Sequence, residues 1–263
     1  MLRSIARVTA AHYHAEKCRR LTHPIAVVSS LLYPIGRVAV LMFLVQAVYQ
    51  NRNPQNLLAD YQSARIYILT SAFLTVTLGF NNAAVLAERI RSGLVVFDLV
   101  RPHSWMATNI GERLGPRLAN LIAPVLAFLL GMSLAGYQQG PKYYLMITLM
   151  VPTIWSIEFL ISYIIASITL STQNSWGLGV ALAWPQQLLS GAMVPLVLVP
   201  HGLRNLAYLT PFPCLLDLPI RAALGTVALM SALRIQVFWI ITLGVCSKVL
   251  YHRNIVRIRI NGG

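Results

Sequence analysis

Apolar residues run along this chain in long blocks, and polar residues gather between them. A helix that crosses a bilayer needs about 20 predominantly apolar residues. Six blocks reach that length, at roughly 25–49, 66–86, 117–136, 143–170, 176–199 and 228–250. The short polar turn Tyr137-Gln138-Gln139-Gly140-Pro141-Lys142 closes the third block. Between the fifth and sixth blocks, residues 199–227 stay apolar but are broken by Pro200, Pro211, Pro213 and Pro219. Proline removes a backbone donor and clashes with the preceding turn, so a continuous span is not expected there. Short re-entrant helices fit better, and such backbone survives at membrane depth only where protein or a water-filled cavity covers it. Residues 1–24 mix Leu2, Ile5, Val8 and Tyr13 with Arg3, Arg7 and Lys17, which predicts an interfacial helix at the membrane surface. The apolar block after it is too long for the core of a cleavable signal peptide. The expected fold is therefore an all-α integral membrane protein of one permease-like domain over 1–263, with six transmembrane helices. No second soluble domain and no internal repeat are visible.

Composition strengthens this reading. The 263 residues are 57% hydrophobic and 11% charged, with a mean hydropathy of +0.64. Soluble domains carry about 25% charged residues, so a water-soluble fold is excluded. Intrinsic disorder is excluded by the same apolar excess. The net charge of +14 would suit nucleic-acid binding in a soluble chain. Beside long apolar runs it reads as topology instead, and no nucleic-acid partner is expected. Fourteen of the 21 basic residues fall in the N-tail, in the segment 87–117 and in the C-tail; six fall on the opposite side. Cytoplasmic loops collect Lys and Arg, which predicts both termini in the cytoplasm of a multi-pass protein of the cell inner (plasma) membrane. Cys18, Cys214 and Cys246 lie far apart and form no metal or redox pair.

Candidate chemistry is sparse. The sequence has no Gly-x-x-x-x-Gly-Lys-Ser/Thr phosphate loop, no His-Glu-x-x-His, no Gly-x-Ser-x-Gly and no Gly-x-Gly-x-x-Gly. No catalytic, metal or cofactor site is expected. His12, His14 and Cys18 read as interfacial packing. Glu158 lies inside the fourth block and Arg37 inside the first. Charges at that depth are costly and face a bundle interior or cavity. The two residues are a structural ion pair, or Glu158 belongs to a substrate path, or it carries protons. Between blocks two and three runs Glu88-Arg89-Ile90-Arg91-Ser92-Gly93-Leu94-Val95-Val96-Phe97-Asp98-Leu99-Val100-Arg101-Pro102. This is either a basic loop serving topology alone or an apolar helix docking into a groove on a cytosolic partner.

This segment resembles the pattern Ile-Arg-x-Gly-x-Leu…Leu-x-Arg-Pro of permeases of the second class of ABC exporters. Leu189-Ser190-Gly191-Ala192-Met193-Val194-Pro195-Leu196, then Pro200 and Thr210-Pro211-Phe212, is similar to a second stretch of those permeases. The resemblance covers nearly the whole chain. It implies a transmembrane subunit of an exporter, paired with a separate ATP-binding cassette subunit that binds ATP and Mg. It also implies a second permease chain, the same or related, with the pathway between the two. The cytoplasmic segment 87–116 would couple to the ATPase through Arg89, Arg91, Gly93, Phe97, Asp98, Arg101 and Pro102. Pro195, Pro200, Pro211 and Phe212 would help form the outer gate. Few charges line the spans, which suits an amphipathic or hydrophobic cargo better than a hydrated ion. A proton-coupled carrier using Glu158 is the competing reading. A lipid-modifying enzyme has no cluster of His, Asp or Glu to support it.

Overall fold

A computed structural model describes residues 2–22, 24–51, 61–78, 105–137, 139–172 and 175–255. Among these residues all regular structure is helical. In chain order the helices are α1 (Leu2–Thr22), α2 (Pro24–Asn51), α3 (Tyr61–Leu78), α4 (Trp105–Ala119), α5 (Ile122–Leu134), α6 (Pro141–Thr172) and α7 (Ser175–Leu189). Then come a 3-10 turn (Leu196–Leu198), α8 (His201–Tyr208), a second 3-10 turn (Phe212–Cys214), α9 (Asp217–Ala223) and α10 (Leu229–Ile255).

The centre of the molecule is α6. Tyr143, Ile147, Met150, Ile154, Ile157 and Ile161 repeat at alternating steps of four and three, and all are buried. That spacing puts one stripe of side chains on one helix face. Leu74 and Leu78 of α3, Phe128 and Met132 of α5, Ile220 of α9 and Ala232 of α10 join the same core. Phe73 and Phe128 stack at 4.7 Å, which locks α3 to α5. A smaller core joins Leu41 and Val45 of α2 to Ala64 and Ile68 of α3. In α3, the hydroxyls of Thr70, Ser71, Thr75 and Thr77 are buried, and each donates to a carbonyl three or four residues back in its own helix. An apolar surrounding offers no water, so these groups are satisfied locally.

Among the described residues, two helices are long and apolar enough to cross a membrane, Pro141–Ile168 and Leu229–Arg253. They correspond to the fourth and sixth predicted blocks. The third block is not one straight helix. It is a pair, Asn109–Ala119 and Pro124–Leu134, bent by 45°. Asn120 and Leu121 form the break: the amide of Asn120 donates to Glu16 on α1, and Pro124 stands in the first turn of α5, where its missing donor is tolerated. The fifth block ends ten residues earlier than predicted, at Leu189, because the chain turns at Gly191. Ile35–Gln50 within α2 is apolar but shorter. In the second block, α3 begins earlier than expected, at Tyr61, and the residues after Leu78 lie outside those described.

The predicted N-terminal helix forms as α1, with a protein partner on one face. It lies against α4, where Gly111 and Gly115 stand one turn apart. A Cβ at Gly111 would sit 2.6 Å from Val8 Cγ1, and one at Gly115 would sit 2.7 Å from the carbonyl oxygen of Thr9. Small residues at this spacing let two helix backbones approach closely. His12 to Glu112 at 3.7 Å and Asn120 to Glu16 at 3.2 Å flank the seam.

Candidate functional site

Two polar clusters are built into the apolar body. The first sits on α4 and α6. Glu158 is 1% exposed and lies between Arg113 and Arg117, themselves one turn apart on α4. Arg117 Nη2 donates to Glu158 Oε2 and also, at 2.7 Å, to the carbonyl of Leu78 on α3. Arg113 Nη1 stands 3.6 Å from Glu158 Oε1, and the Ser162 hydroxyl donates to the same oxygen at 2.9 Å. The guanidinium of Arg113 lies over the Phe159 ring at 5.6 Å, and that of Arg117 over Trp155 at 5.7 Å. Such contacts ease the burial of a cation. The cluster ties α3, α4 and α6 together at one point.

The partners of Glu158 therefore differ from the Arg37 weighed above. Arg37 instead donates to the carbonyl of Ala192, beyond the end of α7. The physical reason is packing: α2 lies against α3, whereas α4 brings two arginines onto the Glu158 face of α6.

The second cluster gathers where α7, α8 and α9 meet α3. Helix α7 ends in a reversed turn: Ala192 N–H donates to Gln187 at 3.1 Å and Gly191 N–H to Leu188 at 3.3 Å. This pair of bonds requires a left-handed residue, and Gly191 supplies it with φ +83°. The next bond, Asp217 N–H to the carbonyl of Ser190 at 3.2 Å, fastens α9 to the end of α7. Asp217 is fully buried and accepts from Tyr67 at 3.2 Å and from Tyr208 at 2.8 Å. Arg221 Nη1 donates to Tyr208 at 2.6 Å and lies 3.8 Å from Asp217. Burial pushes the Asp217 carboxyl above its ordinary value, against the opposing pull of Tyr208, Arg221 and Tyr67. Burial, then the Asp217 charge, pushes the Tyr208 phenol up to about 12. A third link joins α10: Thr153 donates to Gln236 at 2.8 Å, and Gln236 donates to the carbonyl of Cys214 at 3.0 Å.

The residues assigned to the outer gate all lie in this region. Pro195, Pro200 and Pro211 each immediately precede a short helix, and Phe212 packs on the main core. Residues 196–223 form the short helices that the prolines predicted. Residues Arg89, Arg91, Gly93, Phe97, Asp98, Arg101 and Pro102 lie outside the described residues. Among the described residues, no three His, Cys, Asp or Glu side chains group as a metal site would require. Sequence reading missed Arg113, Arg117, Tyr67 and Asp217 as site residues. The i, i+4 spacing of the two arginines was the available signal; the partners of Tyr67 and Asp217, 150 residues apart, left none.

Both clusters lie within one stretch of family likeness. The family described as ABC-2 family transporter protein matches residues 35–262. The chain belongs to this family. It is thus a multi-pass membrane permease, a transport subunit and not a catalytic one, and membership implies an ATP-binding subunit as partner in general. A comparison with curated proteins finds none that matches the chain.

Proposed function

We propose that this ABC-2 permease is the membrane half of an ATP-driven exporter that moves an amphipathic or hydrophobic cargo out of the cytoplasm. The observation that carries this reading is the family match over 35–262. The missing phosphate loop supports it, since energy then comes from a separate ATP-binding cassette subunit that holds ATP and Mg. In this reading both termini are cytoplasmic, the membrane is the cell inner (plasma) membrane, and a second permease chain completes the pathway. The segment 87–116 couples to the ATPase through Arg89, Arg91, Gly93, Phe97, Asp98, Arg101 and Pro102. The turns at Pro195, Pro200, Pro211 and Phe212 form the outer gate. No observation favours the proton-coupled carrier: both Glu158 oxygens are engaged, by Arg117 on one side and by Ser162 and Arg113 on the other.

Affinity capture of the tagged chain in mild detergent tests the reading. An ATP-binding cassette protein is expected to copurify, and Arg91→Ala, Phe97→Ala and Arg101→Ala each to reduce its recovery without loss of membrane insertion. A chain recovered alone in several gentle detergents argues against the assembly. Unchanged recovery in all three variants removes the coupling assignment.

A further inference from the structure

We infer that Arg113 and Arg117 form a binding site for one anionic group, a carboxylate or a phosphate, borne by an amphipathic molecule. The inference rests on the permease reading for the amphipathic body of the ligand; the anion is read from the arginines alone.

Both side chains are nine-tenths buried, at 9% and 8% exposure, and Glu158 is the carboxylate they share. Donors outnumber acceptors here. Arg113 Nη1 and Arg117 Nε are buried with no hydrogen-bond partner. Glu112, the neighbouring acid on α4, lies 3.7 Å from His12 of α1 and also acts on Arg113 through its charge. Each guanidinium lies over an aromatic ring of α6, Phe159 or Trp155. Arg113 Nη1 and Arg117 Nε remain to donate, since Arg117 Nη2 already serves Glu158 and Leu78, and guanidinium N–H groups match the oxygens of a carboxylate or phosphate. Buried donors left unmatched are costly, and an incoming anion would satisfy the two that Glu158 does not. Leu118 and Ile122, on the same helix pair at the bend between α4 and α5, are 43% and 69% exposed and offer apolar surface to a tail.

The test titrates the purified 263-residue chain, in an uncharged maltoside detergent, with dodecyl phosphate and follows the thermal unfolding midpoint. A saturable rise is expected for the unsubstituted chain. Arg113→Gln, which keeps the Arg117–Glu158 pair, is expected to weaken apparent affinity at least tenfold, and Arg113→Lys to fall between the two. Should Arg113→Gln fail to fold, Arg113→Lys decides, since it keeps the charge and loses the fork. Discs of phosphatidylcholine with and without phosphatidylglycerol separate the sources. Competition by phosphatidylglycerol assigns the site to a lipid headgroup, and its absence assigns the site to a cargo-like amphipath; both support the site. Equal binding by the unsubstituted chain and the Arg113 variants overturns the proposal. So does inorganic phosphate matching dodecyl phosphate, or dodecyltrimethylammonium binding as tightly. The titration needs no ATP-binding subunit, so its failure is distinguishable from failure of the exporter reading.

Discussion

A left-handed backbone at Gly191 is what lets α7 end where it does. Any side chain there incurs about 1–2 kcal/mol for that conformation alone, and its Cβ would also collide with the Tyr67 hydroxyl. Gly191→Ala is therefore expected to lower the unfolding midpoint, and adding Tyr67→Phe to relieve the collision while forfeiting the bond to Asp217, so that the double variant stays below the unsubstituted midpoint. Glu158 sets a larger energy. Glu158→Gln leaves two buried arginines with no carboxylate between them, and removal of one partner from a buried pair costs about 3–5 kcal/mol. The double variant Glu158→Gln, Arg117→Met is expected to recover much of that loss, while Arg37→Met adds to Glu158→Gln independently. A double-mutant cycle on thermal stability checks both, and coupling between Arg37 and Glu158 would contradict the observed partners. The buried Asp217 carboxyl gives a dependence on pH. Its folded value is raised, so the folded state holds that proton more tightly than the unfolded one. Its contribution is full below the ordinary value of 3.8 and is lost as pH rises through the raised value. Asp217→Asn is expected to remove that component of the stability–pH curve, whatever its effect on absolute stability. At this scale the sequence showed which residues were unusual, Glu158 and the Ser190-Gly191 stretch among them. It did not show their partners, because Arg113 and Arg117 read as loop charges until α4 placed them on α6.

Helices were legible in proportion to their length. The stripe on α6 and the apolar run of α10 are long enough for periodicity to dominate, and both formed near the predicted limits. The third block misled because hydropathy is blind to direction: a bend of 45° between two apolar helices leaves the average unchanged. Pro116, Asn120 and Pro124 were the local signs of it. The seam between α1 and α4 was also written in the sequence, as Gly111 and Gly115 four residues apart, but spacing names no partner helix. Its tolerance is small. A methyl at position 115 would meet backbone atoms of Thr9 and Tyr13 at 2.7 and 2.8 Å, and backbone cannot rotate away. Gly115→Ala is expected to part the two helices and to raise amide hydrogen exchange across residues 2–22 by tenfold or more. Exchange unchanged from that of the unsubstituted chain would mean that the seam does not hold α1.

The molecule as a whole wears its apolar side chains outward. Phe43 of α2 is 73% exposed, Leu134 of α5 87% and Phe238 of α10 60%, a surface that water would not support and lipid or a second protein would. The proposed orientation of this body can be read by labelling. Cys18 is exposed on α1, and Thr226 is exposed in the turn before α10. An impermeant maleimide on intact cells is expected to reach Thr226→Cys at once and Cys18 only after permeabilisation. The reverse order would invert the topology. Burial pushes the Cys214 thiol up to about 12, so it stays unlabelled in either case. Class and membership were readable from composition and two motifs, whereas the way the parts are joined was not. One joint has a mechanical meaning. A single nitrogen, Arg117 Nη2, serves both the Leu78 carbonyl of α3 and the carboxylate at Glu158. The two helices thereby share a fulcrum. A displacement of α3 at Leu78 is felt directly by the carboxylate of α6, because one nitrogen holds both.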